Sequence, residues 1–228
     1  MNWFGIHSRV VAVVALVVAG VAVALLTQYD TTKKRPIEGS GTALTEYRSL
    51  PGFTGVTVLG TNSVVIHVGS PQTLAVTADD NLVSSVKTTV ESGRLVIDEP
   101  ASFTTQTPMS VEITVPTLTG VVDAGDGQVT ADGVRSPTLT VELSGAGNFV
   151  GQGSVKRLTT TLSGTGNIDL SRLSSWDVYA TLGGSGRIVV NVVHALHARV
   201  PGTGTINYVG NPAVVDQQVS GTGAVAPA

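Results

Sequence analysis

Between Gly125 and Gly223 one short phrase, Gly-x-Gly, recurs six times, and no other feature limits the fold so strongly. The copies are Gly125-Asp126-Gly127, Gly145-Ala146-Gly147, Gly164-Thr165-Gly166, Gly184-Ser185-Gly186, Gly202-Thr203-Gly204 and Gly221-Thr222-Gly223. Their first glycines lie 20, 19, 20, 18 and 19 residues apart, and a period near twenty marks a solenoid whose repeats stack on one another. Aligned on the first glycine, the residues four places on are Val129, Phe149, Ile168, Ile188, Ile206 and Val225. Those two places before are Asp123, Leu143, Leu162, Leu182, Val200 and Val219, and those six before are Thr119, Leu139, Leu158, Val178, Leu196 and Val215. Only the first copy breaks the apolar columns. Polar residues stand between them, as in Leu139-Thr140-Val141-Glu142-Leu143, so the pattern has the period of two that makes a strand.

Each repeat therefore reads as two or three short strands joined by bends. A sharp corner needs positive φ or close approach of a neighbouring chain, and a residue without Cβ supplies either. Strands stacked at about 4.8 Å turn the columns into ladders inside a narrow core, and each coil buries its apolar face only against a neighbour. A flexible glycine-rich linker would not keep such columns. No copy has the third glycine and helix start of a dinucleotide loop or the Gly-Lys-Ser/Thr of a phosphate loop.

Aromatic residues make up 4% and charged residues 13% of the 228; valine, threonine, glycine and serine dominate, as suits strands with tight corners. Cysteine is absent, which excludes disulfides, thiolate metal sites, a cysteine nucleophile and a lipidated N-terminal cysteine. From residue 36 onward nine Lys and Arg face fifteen Asp and Glu, a net of −6. Nucleic acid is thus not an expected partner, since phosphate binding calls for a basic patch.

In chain order, residues 1–27 read as a signal anchor. Val10 to Leu26 are seventeen uncharged, apolar residues, at the short end for a transmembrane helix. Ala22-Val23-Ala24 resembles a cleavage signal but lies inside the apolar run, so an uncleaved anchor is favoured over a cleaved peptide. Lys33, Lys34 and Arg35 after the span outnumber Arg9 before it, a count that would hold the C-terminal side in the cytoplasm. The short basic leader, by contrast, has the shape of an export signal. A single-pass membrane protein with an extracytoplasmic domain is the expected arrangement. Residues 28–48 read as a linker and 49–228 as the domain. From Leu50 to Val115 the strands are heterogeneous and lack the glycine columns; they are expected to form irregular coils capping one end, a separate small sandwich being the alternative.

Pro51-Gly52-Phe53, Val64-Val65-Ile66, Gly93-Arg94-Leu95-Val96-Ile97 and Val111-Glu112-Ile113-Thr114-Val115-Pro116-Thr117-Leu118, leading into phrases such as Ser163-Gly164-Thr165-Gly166-Asn167-Ile168 and Gly202-Thr203-Gly204-Thr205-Ile206-Asn207, resemble the bacterial "putative auto-transporter adhesin, head GIN domain" family over roughly residues 50–226. The resemblance implies an all-β, right-handed, single-stranded parallel β-helix of the pectin-lyase type. It also implies the absence of a recognised catalytic set, and an adhesive or structural role in the cell envelope.

The carboxylates with the best claim to chemistry are Asp123, Asp126 and Asp132, near Arg135 and Glu142, because β-helix enzymes acting on polysaccharides use carboxylates with a basic residue or metal. Against this, Asp126 and Asp132 adjoin glycines, where aspartate commonly serves a turn. Asp123 stands in a column otherwise Leu or Val, so either its coil is transitional or its carboxylate faces outward through a register shift. His194 and His197 lack a third ligand and read as surface imidazoles. Gly183-Gly184-Ser185-Gly186 reads as a corner rather than a nucleophile elbow, and Asn148 and Asn167 as neighbours in a hydrogen-bonded ladder. Trp176, Tyr179 and Tyr208 are too few and too scattered in sequence to decide whether an aromatic platform exists. The expectation is a non-enzymatic domain without cofactor or metal, for adhesion or envelope interaction, with an envelope polysaccharide or surface protein as partner. The alternatives are a carbohydrate-active enzyme using Asp126 and Asp132, and self-assembly through an open C-terminal coil.

Overall fold

A computed structural model describes residues 36–99 and 103–228. The apolar run expected to anchor the chain, residues 10–26, lies outside the described residues. Among the described ones no helix is long and apolar enough to cross a membrane.

The described residues from Pro36 form one compact unit made of strands, apart from a single 3-10 turn at Val83–Ser85. The chain opens with β1 (Ile37–Glu38) and β2 (Ala43–Tyr47), then makes a first corner between β3 (Gly55–Val58) and β4 (Ser63–Val68). It leaves the stack through β5 (Thr73–Asp79) and β6 (Lys87–Glu91), and returns as β7 (Arg94–Asp98), β8 (Phe103–Thr104) and β9 (Ser110–Val115). The regular coils follow: β10 (Gly120–Asp123), β11 (Gln128–Leu143), β12 (Asn148–Leu162), β13 (Asn167–Leu182), β14 (Arg187–Val200), β15 (Thr205–Val209), β16 (Val214–Val219) and β17 (Ala224–Pro227). Every pairing from β10 to β17 is parallel, giving a β-solenoid of about five turns.

The columns read from the sequence are the core. Leu139, Leu158, Val178 and Leu196 are register partners in successive coils, as are Leu143 and Leu162, and Val129, Phe149, Ile168, Ile188 and Ile206. All are buried, and each contributes roughly 1.5–3 kcal/mol relative to an exposed side chain. The glycine corner is a matter of contact rather than of φ. A Cβ on Gly145, Gly164, Gly184, Gly202 or Gly221 would sit closer than 3.0 Å to the carbonyl oxygen of the ladder glycine one coil below. None of the ladder glycines has positive φ; Gly133, Gly153 and Gly210, which do, stand at a different bend. Of the two reasons a corner can need glycine, close approach of the neighbouring backbone is the one at work.

Apart from the short two-stranded pair of β1 and β8, the first half joins the same sheet and does not form a separate sandwich. Its coils stack out of sequence order, with β3 and β4 lying between β7 and β9 on one side and β10 and β11 on the other. Gly60 consequently sits beneath Gly125, and Asn62 beneath Gly127. The glycine column thus starts one level earlier than the six-copy reading holds. Below Gly60, the side chain of Glu99 fills the space a Cβ would take.

The N-terminal end is closed by antiparallel strands, β6 on β7, β5 on β9 and β2 on β5, which cover edges that parallel coils would leave open. Residues 36–48, expected as linker, partly belong to this cap: β1 pairs with β8 and β2 with β5. Arg48 fastens it, donating to the carbonyls of Val86 (2.6 Å) and Val83 (2.9 Å). Asp79 does the same from within, accepting backbone N–H bonds from Gly41 (2.8 Å), Gln106 (3.0 Å) and Thr107 (3.4 Å). Burial pushes its pKa up, but the three N–H donors outweigh that and hold it below the ordinary carboxylate value. At the other end β16 is exposed along its length, including Val215 and Val219 of the apolar columns.

Neighbouring glycines offer an internal control for the corner contact. A Cβ on Gly183 would meet only the Leu162 carbonyl at 4.0 Å, an ordinary contact, whereas one on Gly184 would fall on the Gly164 carbonyl. Gly184→Ala is expected to lower unfolding free energy by roughly 3 kcal/mol and Gly183→Ala by less than about 1 kcal/mol, as read by urea denaturation. Equal effects would refute the contact.

Candidate functional site

Opposite the glycine corner, each coil bends again where its first strand segment meets its last, and there the surface is concave. Alternation puts Ser136, Val155 and Ser175 inside as register partners. The hydroxyls of Ser136 and Ser175 turn back to carbonyls of Thr138 (2.9 Å) and Leu173 (3.1 Å). Their neighbours must then point out. Arg135, Lys156, Arg157, Trp176, Asp177 and Val193 line an open groove of about 1000 Å³ that crosses four coils. Among the described residues Arg135, Lys156 and Arg157 form no ion pair.

A β-bulge builds the far wall. Ser175 pairs with Val192 and Asp177 with Ala195, so Val193 and His194 together oppose Trp176, and such an extra residue re-aims side chains. His194 stacks on the Trp176 indole with centroids 5.1 Å apart and planes 7° from parallel, while its Nδ1–H donates to Asp177 Oδ1 at 2.9 Å. The indole is held flat yet remains 52% exposed. Beside it the arrangement recurs: Tyr179 stacks on His197 at 4.8 Å, and His197 Nδ1 lies 3.5 Å from Asp216 Oδ2. Tyr208 is partly buried against the core and joins neither stack. The two histidines are surface groups, as expected, but each has an aromatic partner that sequence separation concealed.

The carboxylates singled out by sequence are dispersed. Asp126 accepts the Ala146 N–H from the next coil (3.1 Å), a turn role. Asp132 accepts from Gln152 Nε2 (2.7 Å) and lies 3.9 Å from His67 Nδ1, whose Nε2 is 3.6 Å from Glu112. The extended run Gln128 to Asp132 separates the two corners by roughly 13 Å, whereas paired carboxylates for glycoside hydrolysis stand about 5–10 Å apart. Glu142 is exposed on the last segment of its coil, and Arg135 belongs to the groove. Asn167 Nδ2 donates to Asn148 Oδ1 at 2.9 Å, the expected ladder.

Asp123 corrects the outward reading. Its side chain is 1% exposed, in column with Val58 below and Leu143 above. Oδ1 accepts the Gly125 N–H at 3.0 Å, and Oδ2 has no partner. Burial, with a smaller contribution from the charge of Asp126, pushes its pKa up to about 6, against the Gly125 hydrogen bond that lowers it.

The sequence model described as "Putative auto-transporter adhesin, head GIN domain" matches residues 52–212. The chain belongs to this family. The crystal structure of a "putative adhesin" from Bacteroides fragilis is similar with a TM-score of 0.72 at 22% identity, covering 84% of this chain and 100% of that one. A "putative adhesin" from Parabacteroides merdae gives 0.58 at 19% identity, covering 84% and 98%. A "putative lipid binding protein" from Parabacteroides distasonis gives 0.52 at 20%, covering 85% and 100%. At these identities the likeness shows the fold. No curated protein matches the sequence.

Because the folded-state pKa of Asp123 is raised, the folded protein binds more protons than the unfolded chain between about pH 4 and pH 6. The stability from this group is present below that window and is lost as pH rises through it. Asp123→Asn removes the titration: the fall in melting temperature from pH 4 to pH 7, corrected for the remaining carboxylates by comparing the two proteins, is expected to be smaller in the variant by several degrees. Parallel curves would exclude a buried, proton-binding Asp123.

Proposed function

We propose that this chain is a membrane-anchored adhesin-like protein whose extracytoplasmic, right-handed solenoid binds cell-envelope or cell-surface material and does not turn it over. One observation carries the reading: an indole is held flat and exposed inside an open groove that runs across four coils. Indole faces give rigid, amphipathic contact area at little entropic cost, and an open trough suits an extended ligand better than a small molecule that must be enclosed. The family description supports the adhesive role. The apolar run Val10 to Leu26 supports the anchor, and the handedness follows the general rule for parallel crossovers.

The full-length protein, immobilised in detergent, is expected to retain solubilised envelope or host-surface material, and Trp176→Ala is expected to reduce retention roughly tenfold, as loss of a central aromatic anchor does, without shifting the melting temperature. Equal retention by both proteins would overturn the groove as the binding site. Release of saccharide fragments that stopped on Asp126→Ala or Asp132→Ala would favour the enzyme alternative.

A further inference from the structure

Resting on that reading, we propose that the groove takes an acidic polysaccharide, one carrying carboxylate or sulfate groups along its length. The described domain is acidic, with nine Lys and Arg against fifteen Asp and Glu from residue 36, yet three of those nine cations line this one groove. Arg135 lies on the coil of β11 and Lys156 and Arg157 on that of β12; none is neutralised by an ion pair among the described residues. The single carboxylate in the lining, Asp177, is already engaged by His194 at 2.9 Å.

The two kinds of group are arranged in sequence along the groove. The cations occupy two adjacent coils, Trp176 and its bulge partners the next two. At about 4.8 Å per coil the lining is roughly 14 Å long, which accommodates a short run of sugar rings. A ring laid on the exposed indole presents its C–H face to the π system. The chain running on across Thr138 and Ser154 then carries its acidic groups past the guanidinium of Arg157, the Lys156 ammonium and Arg135, where charge-assisted hydrogen bonds form. Unpaired cations facing the groove also draw an anionic chain in from solution, in a salt-dependent way. Single-stranded nucleic acid is held by aromatic side chains on which successive bases stack, and this lining offers one indole; a neutral glycan would use the indole but leave the cations idle.

The test uses the full-length protein in detergent with three probes of similar length: polygalacturonate, dextran and a single-stranded oligonucleotide. Polygalacturonate is expected to bind, with affinity falling at least tenfold between low salt and 0.5 M NaCl, and dextran at least tenfold more weakly. K156Q/R157Q is expected to weaken polygalacturonate binding at least tenfold while leaving dextran unchanged, and Trp176→Ala to weaken it without altering its salt dependence. All sites are exposed, so unchanged melting curves check that the variants fold. Dextran or oligonucleotide binding as tight as polygalacturonate, or polygalacturonate binding indifferent to K156Q/R157Q, would overturn the proposal. If envelope material is still retained in a Trp176-dependent manner while polygalacturonate is not bound, this inference fails alone; if neither is retained, the underlying reading fails with it.

Discussion

At every turn of this solenoid a backbone carbonyl occupies the space that a side chain on the next coil would need, and the rest of the structure depends on that contact. Gly125 sits on Gly60, Gly145 on Gly125, Gly164 on Gly145, and so on to Gly221 on Gly202. Backbone hydrogen bonds between coils run through the same corner, for example Asn167 N–H to the Gly147 carbonyl at 3.1 Å and Asn148 N–H to that of Gly127 at 3.0 Å. With this corner fixed, the apolar residues before and after it must fall in columns. Differences in coil length then appear outside this corner, mainly at the second bend. Register slips there between Ala131 and Val134, between Val150 and Gln152, and between Leu170 and Ser174, and there too stand Gly133 and Gly153 with positive φ. The shortest repeat, the 18 residues from Gly184 to Gly202, loses three residues at that bend relative to the coil before it and regains one at the bulge opposite Trp176. The same variation that spares the core therefore shapes the groove.

Much of this was legible in the sequence because the determining contacts repeat. Glycine spacing and apolar columns are periodic, and a solenoid is the structure in which a period becomes a neighbour. What escaped was non-local or singular. Gly60-Thr61-Asn62 belongs to the glycine column, but its neighbour Gly125 is far along the chain because β5 to β9 intervene, so no period reveals it. β2, with the sequence Ala43-Leu44-Thr45-Glu46-Tyr47, is exposed throughout and owes its structure to pairing with β5 rather than to an apolar face. Asp123 stands in an apolar column and keeps to it, facing inward with an unpartnered oxygen, where the sequence left a transitional coil and an outward-facing carboxylate both open. The stacking of Trp176 on His194 needs a bulge, and a bulge is a property of two strands, not of one.

The two most buried aspartates show how one fold uses the same side chain in opposite ways. Asp79 accepts three backbone N–H bonds in the N-terminal cap, so its charged form is stabilised and acid weakens its hold. Asp123 accepts one and is crowded by hydrocarbon, so its neutral form is favoured. Neither reaches the groove, whose charge comes from exposed cations. The glycine corner and columns hold the coils in register, while Arg135, Lys156, Arg157 and Trp176 line a groove on a different part of the coils.

An adhesin-like reading requires that this groove face the exterior of the cell. The chain contains no cysteine, so a single Glu91→Cys substitution, at an exposed position on β6 remote in sequence from the groove-lining residues, gives one reactive thiol. In spheroplasts with an intact cytoplasmic membrane, a membrane-impermeant maleimide is predicted to label that thiol as completely as it does after the membrane is permeabilised. Labelling only after permeabilisation would place the domain in the cytoplasm, as the Lys33-Lys34-Arg35 count favours, and would contradict the account.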